Sequence, residues 1–215
     1  MKGIIFKDFY LGFGIKKNLI SFIFAFLFIV ALMIFMRTNF GFLLFCGITL
    51  PMLGSSLFQV TVEEDEKTDF DKIQLTYPMT KKEIIFSKYL TGFIMLGLCF
   101  ILNLIVCYVY VDIYKSISLS SALSVFLFSI GVGLIFNAIS FFIFVLLGNK
   151  KGVVLYILLI MMIAGFYGAT SWRVDYISYI MNNVNMILSI GLIAGIVLMI
   201  ISYFASLKIY KRRHS

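Results

Sequence analysis

The chain alternates between long solid apolar runs and short polar breaks, and six of the runs have the length of a membrane crossing. A helix rises about 1.5 Å per residue, so spanning ~30 Å of hydrocarbon takes roughly 20 apolar residues. Leu19–Met36, Phe40–Val62, Leu90–Val111, Ser120–Leu147, Val153–Thr170 and Asn185–Leu207 meet that requirement. None shows the alternation over about ten positions that marks an outer-membrane strand. The pattern predicts an all-α, polytopic membrane protein forming a single transmembrane domain over residues 1–215, with the fourth span long enough to tilt or project.

Composition strengthens this reading. Of 215 residues, 62% are hydrophobic and 13% charged, against about 45–50% and 25% in soluble domains. A small soluble domain cannot hide such an excess in one core. The two prolines beside 24 phenylalanines suit long unbroken helices. The first span is full length and ends without a small-residue cleavage site, so a cleavable signal peptide is not expected. Cys46, Cys99 and Cys107 lie inside apolar runs and read as small hydrophobes, without disulfide or metal-ligand spacing.

Charge sets the orientation. Lys2, Lys7, Lys16 and Lys17 precede the first span, and Lys67, Lys72, Lys81, Lys82 and Lys88 follow the second. Lys150 and Lys151 separate spans four and five, and Lys208, Lys211, Arg212 and Arg213 follow the last. Only Arg37, Lys115 and Arg173 lie on the opposite side. The bias puts both termini in the cytoplasm. It also explains the net charge of +8 by proximity to anionic headgroups, with no nucleic acid as partner.

Two stretches predict helices that do not span. Within Lys2–Lys17, Ile5, Phe9 and Phe13 recur every fourth residue, as in an interfacial helix. Outside, Trp172, Tyr176, Tyr179 and Ile180 fit either an interfacial or partly re-entrant helix or an ordinary aromatic belt.

No ionisable residue falls inside a span, whereas ion-coupled transporters, voltage sensors and intramembrane hydrolases place such groups at membrane depth. Gln59, Asn103 and Asn137 are the main polar candidates for a translocation path or for helix–helix contacts, and Gly191 with Gly195 forms a GxxxG packing pair. No catalytic or metal site is expected, and His214 reads as a solvated tail residue.

The loop between spans two and three, residues 63–89, is the most charged stretch. It opens on Glu63, Glu64, Asp65 and Glu66. Thr68-Asp69-Phe70-Asp71 has capping-box spacing and predicts a short helix from Asp69 to about Leu75, with Phe70, Ile73 and Gln74 on neighbouring faces. Pro78 stops that helix, and Thr80-Lys81-Lys82-Glu83, a second capping box, starts the helix entering span three.

At these residues the sequence resembles the permeases of bacterial type-2 ABC exporters. In particular it looks like the compact six-span branch that includes bacitracin, lantibiotic and phenol-soluble-modulin export subunits. The motif reads Glu64, Lys67, Asp69, Asp71, Lys72, then Leu75, Pro78, Met79, Thr80, Lys81, Lys82, Glu83, Ile84, Ser87, Lys88 and Tyr89, and the opening MKGIIFKDFYL resembles that branch's interfacial helix. The resemblance implies that Thr68, Asp69, Phe70, Asp71, Ile73 and Gln74 form a cytoplasmic coupling helix seated in a separate ATP-binding subunit. It further implies a second permease copy or a paralogue as partner, a bacterial plasma membrane, and export of amphipathic or antimicrobial peptides or other hydrophobic compounds. ATP and Mg²⁺ belong on the partner subunit, since the chain lacks a G-x-x-x-x-G-K-[ST] phosphate loop.

Some relatives carry a large extracellular domain, but the external loops here are short, and nothing in them selects a bulky external partner. A non-transporting immunity or scaffold subunit is the alternative function. A prenyl-endopeptidase-like enzyme is disfavoured, because Glu63-Glu64 lacks the companion arginine and membrane histidines.

Overall fold

The computed structural model describes residues 2–213, except the side chains of Asp71 and Arg213; the expectation for His214 lies outside them. The described residues are almost entirely helical, without strands. The N-terminal helix α1 (Lys2–Phe9) continues as a π-helical turn to Gly14. Ile15 leaves helical geometry (ψ 118), and α2 (Lys16–Phe35) forms the first span. Span two, α3, covers Asn39–Lys67 and is interrupted by a π-helical stretch at Leu43–Thr49 and a turn at Gly54 and Ser55. The short helix α4 (Phe70–Ile73) and a 3-10 turn (Gln74–Thr76) lead to α5, Lys81–Ile113, whose last five residues are π-helical.

Five continuous helices have the length and apolarity to cross a membrane, one of them the 52-residue run Leu119–Thr170. At 1.5 Å per residue that run would extend about 78 Å if straight. It is not straight. Gly148, at φ 72 and ψ −170, breaks it into α6 (119–147) and α7 (149–170). The Phe136 and Tyr156 rings, twenty residues apart, pack at 5.5 Å, so the chain reverses into a helical hairpin. The six-span expectation is therefore met by five continuous helices, one folded in two. A short outer helix, α8 (Tyr176–Asn182), and the last span, α9 (Val184–Arg213), complete the chain.

The loops sort into two ends. At one, Tyr110 donates its hydroxyl proton to the Met36 carbonyl (2.6 Å), Arg37 lies over Tyr114 (5.1 Å), and Tyr167 stacks on Phe40 (4.8 Å). Arg37, Lys115 and Arg173 fall at this end, the extracytoplasmic one by the charge rule. Here α8 begins on Asp175, which accepts from the Ser178 N–H (3.3 Å) and hydroxyl (2.6 Å). Those bonds hold the Asp175 carboxyl below its ordinary range. Ile177 and Ile180 of α8 turn into the outer core, while Trp172 and Tyr179 stay exposed.

Packing inside the membrane uses small residues and a few polar clasps. Gly131 of α6 and Gly191 of α9 face each other so closely that a Cβ on Gly131 would sit 3.0 Å from the Gly191 Cα, and one on Gly195 would meet Leu134 at 2.7 Å. The Gly191/Gly195 pair thus closes an α6–α9 seam within the chain. Tyr89 of α5 bonds Ser202 (2.6 Å) and Ser206 (2.9 Å) of α9. In contrast, α2 exposes apolar side chains around most of its circumference.

Candidate functional site

The cytoplasmic end is organised by the last turns of α3, which continue as helix through the acidic run to Lys67. Leu57, Thr61 and Asp65 recur every fourth residue and are all buried, so helical continuation carries one acid of the run inward. Asp65 accepts from Lys7 of α1 (2.5 Å) and is paired with Lys88 of α5. Lys7 also lies 3.1 Å from Asp8, itself buried and hydrogen-bonded by the Thr91 hydroxyl (3.4 Å). Glu66 accepts the Asn149 N–H (2.7 Å) beside Gly148, and so caps the start of α7. A side chain at Gly148 would strike that carboxylate as well as straining the positive φ. Glu63 and Glu64 pair with Lys67 on the exposed face. The acidic run therefore ties α1, α5 and the α6–α7 hairpin to the root of α4.

The buried stripe of α1 differs from the one its sequence suggests. Ile4, Asp8 and Gly12 point inward, while Ile5 and Phe9 are half-buried and Phe13 is exposed. The stripe lies one residue over because Asp8 meets Thr91 and the lysines there, and a side chain at Gly12 would run into Leu57. Asp8 and Asp65 are the residues that the sequence reading missed. Their signal is positional: each occupies the fourth-residue repeat of a buried face.

The segment Thr68–Leu75 adopts a local geometry different from the expected capping box. Thr68 donates its hydroxyl proton back to the Glu64 carbonyl (2.8 Å), ending α3. Asp69 stands before α4 in a left-handed conformation (φ 52) without a side-chain cap. Its carboxylate instead pairs with the exposed Lys72 (2.8 Å), raising the lysine's pKa by that hydrogen bond. The second capping box forms: Thr80 accepts from the Glu83 N–H (3.3 Å), and Glu83 accepts from the Thr80 N–H (2.8 Å).

Phe70 is half-buried and faces back into the protein, with the Lys7 ammonium 4.1 Å from its ring centre and Tyr77 edge-on at 6.2 Å. Gln74 is fully buried and donates to the Tyr210 hydroxyl (2.9 Å), which links α9 to the segment. The outward face carries Ile73, Leu75 and Tyr77, which are 46%, 36% and 44% exposed. The Asp71 side chain lies outside the described residues.

The polar residues inside the membrane have structural work to do. In the π-helical part of α3, Leu50 donates its N–H to the Phe45 carbonyl. The next carbonyl, Cys46, would accept from residue 51, which is a proline and has no N–H. Asn103 of α5 fills that vacancy with its amide (2.8 Å), which also reaches the Ser129 hydroxyl (3.0 Å). Asn137 of α6 likewise donates to Pro51 (3.3 Å) and to Gly133 (2.7 Å). Gln59 is half-buried just beyond the turn of α3. Cys46 and Cys107 are free thiols with sulfurs 3.5 Å apart. Replacing Asn103 by Leu strands the Cys46 carbonyl in hydrocarbon, and an expected loss of about 1–2 kcal/mol should be readable as a lowered unfolding midpoint in detergent. An unchanged midpoint would mean that the carbonyl finds another donor.

Among the described residues no three His, Cys, Asp or Glu side chains converge as metal ligands. The charges at the cytoplasmic end are arranged to bind helices together and to present the α4 surface. A family model described as "ABC-2 family transporter protein" matches residues 3–211. No curated protein and no solved structure matches the chain. The matched region takes in α1, the braced root of α4 and all the spans, and the chain belongs to the ABC-2 family of transporter proteins.

Proposed function

We propose that this permease is the transmembrane subunit of an ATP-driven exporter in a bacterial plasma membrane. In this reading it pairs with a second permease copy and with cytoplasmic ATP-binding subunits that carry ATP, Mg²⁺ and hydrolysis. The observation that carries the reading is the segment 68–77. Its outward apolar face stands on a base clamped by Asp65, Glu66, Phe70 and Gln74. An ATPase pressing on Ile73, Leu75 and Tyr77 would move a braced body rather than a loose linker. Under such a push α3 would yield at its turn at Gly54 and Ser55, next to Pro51 and the π-helical stretch. Motion there would tilt the outer half of α3 against the inner half, a movement that could gate a path between the two sides.

The substrate class in this proposal is an amphipathic or antimicrobial peptide, or another hydrophobic compound. Apolar walls rich in Phe and Met repack around varied shapes, and the chain has 24 Phe and 11 Met. The test is reconstitution of the permease with its ATPase in vesicles, followed by peptide efflux and peptide-stimulated ATP hydrolysis. ATP-dependent efflux is the expected result. An intact complex that neither moves peptide nor responds to it would overturn the reading in favour of a scaffold or immunity subunit.

A further inference from the structure

Helices α5 and α9 leave between them an apolar groove of about 580 Å³, open to the side of the molecule. Phe86, Tyr89 and Phe93 form one wall, and Ile196, Ile200 and Phe204 the other. The groove is built, because the Tyr89 hydroxyl bonds to Ser202 and Ser206 fix the two helices behind it. Along α9 it runs from Ile196 to Phe204, about 12 Å at helical rise. That is close to the ~15 Å of hydrocarbon in one leaflet.

The ends of the groove differ. On α5 the residue one turn beyond Phe86 is Lys82, and on α9 the residue one turn beyond Phe204 is Lys208, with Lys211 a further turn on. All three are exposed, and among the described residues none of them forms an ion pair. Glu83, the nearest acid in sequence, is engaged by Thr80 at its own helix start. The slot therefore has apolar walls the depth of the inner leaflet and a basic mouth at headgroup level.

We infer that this slot holds one anionic phospholipid of the cytoplasmic leaflet, with an acyl chain between α5 and α9 and its phosphate at Lys82, Lys208 and Lys211. The occupant is set by charge complementarity. A second copy of this chain, with the same basic mouth, would bring like charges together at a symmetric contact of this face. The lipid stabilises the α5–α9 junction, which also carries the Gln74–Tyr210 link to α4. The inference stands apart from the transport reading and does not depend on it.

Tryptophan quenching tests it. The single tryptophan, Trp172, is replaced by Phe, and Phe204→Trp or, as a second probe, Phe93→Trp places a reporter in the slot of the full-length chain in vesicles. Phosphatidylglycerol with brominated acyl chains should quench with at least about fivefold higher apparent affinity than brominated phosphatidylcholine, given the attraction of each basic residue for anionic lipid. The preference should disappear in K82Q/K208Q/K211Q. Equal quenching by the two lipids, a preference that survives the triple substitution, or no quenching by either because a second chain covers the slot, would each overturn the inference.

Discussion

Replacing Asp65 with asparagine should lower the stability of the folded protein by about 3–5 kcal/mol, the usual cost of removing one partner from a buried ion pair. The Asp65 side chain is 2% exposed and its partner Lys88 6%. Without Asp65, the ammonium groups of Lys88 and Lys7 lose the carboxylate that pairs with both of them. Most of the cost is thus excess positive charge at a buried site, which makes a specific rescue available. Lys88→Met in the Asp65→Asn background should recover most of the loss, giving strongly non-additive effects in a double-mutant cycle of unfolding midpoints. Simple additivity would show that the pair is not coupled.

Asp8 should behave oppositely. Burial, partly offset by Lys88 and Lys7, raises its pKa above the ordinary 3.8. The folded protein therefore holds this proton more tightly than the unfolded chain. Its contribution is most favourable below about pH 4 and declines as the pH rises through the window between 3.8 and the raised folded value. Asp8→Asn should remove that decline and cost little near neutrality, so the same electrostatic cluster contains one carboxylate that the fold needs charged and one that it tolerates.

The sequence made the frame legible because lipid leaves few choices. A backbone crossing hydrocarbon must satisfy its own hydrogen bonds, so a twenty-residue apolar run is helical whatever its neighbours. Thr80 and Glu83 were legible for a similar reason, since a capping box is closed within four residues. The unread features depend on partners distant in the chain. Asp65 looks solvated beside Glu63, Glu64 and Glu66 until Lys7, 58 residues earlier, arrives next to it. Thr68 fails as a cap because its hydroxyl has a nearer acceptor in the preceding helix. Asn103 had the sequence cue of Pro51, but only the π-helical register of α3 identifies Cys46 as the carbonyl that the proline leaves bare. Phe70 faces inward onto the Lys7 ammonium as well as Tyr77, and the Lys7 partner is distant in the chain.

That inward turn changes where the largest effect on ATPase docking is expected. Ile73→Asp should weaken docking by about 2 kcal/mol or more, roughly 30-fold, as removal of a central anchor does. Ile73 sits between Lys72 and the clamped Gln74, and its side chain is the most exposed of the three outward apolar groups. An aspartate there would bring a desolvated, unpaired charge into the contact while leaving membrane insertion intact, since nothing inside the permease packs on the exposed part of that side chain. Phe70→Ala should act differently. It removes the Lys7 and Tyr77 contacts that seat α4, loosening the segment for a smaller docking loss of about 1 kcal/mol and a lowered unfolding midpoint that Ile73→Asp does not share. Lys150→Ala, in the cytoplasmic turn of the α6–α7 hairpin, is the control. Complex recovery and midpoint should be measured together for the three variants. If Ile73→Asp and Phe70→Ala bind like the unmodified permease while Lys150→Ala does not, the ATPase contacts the hairpin turn and the coupling role of α4 is wrong. If Phe70→Ala instead loses docking with an unchanged midpoint, Phe70 leaves its pocket beside Lys7 and inserts into the ATPase, and the inward position describes the undocked permease.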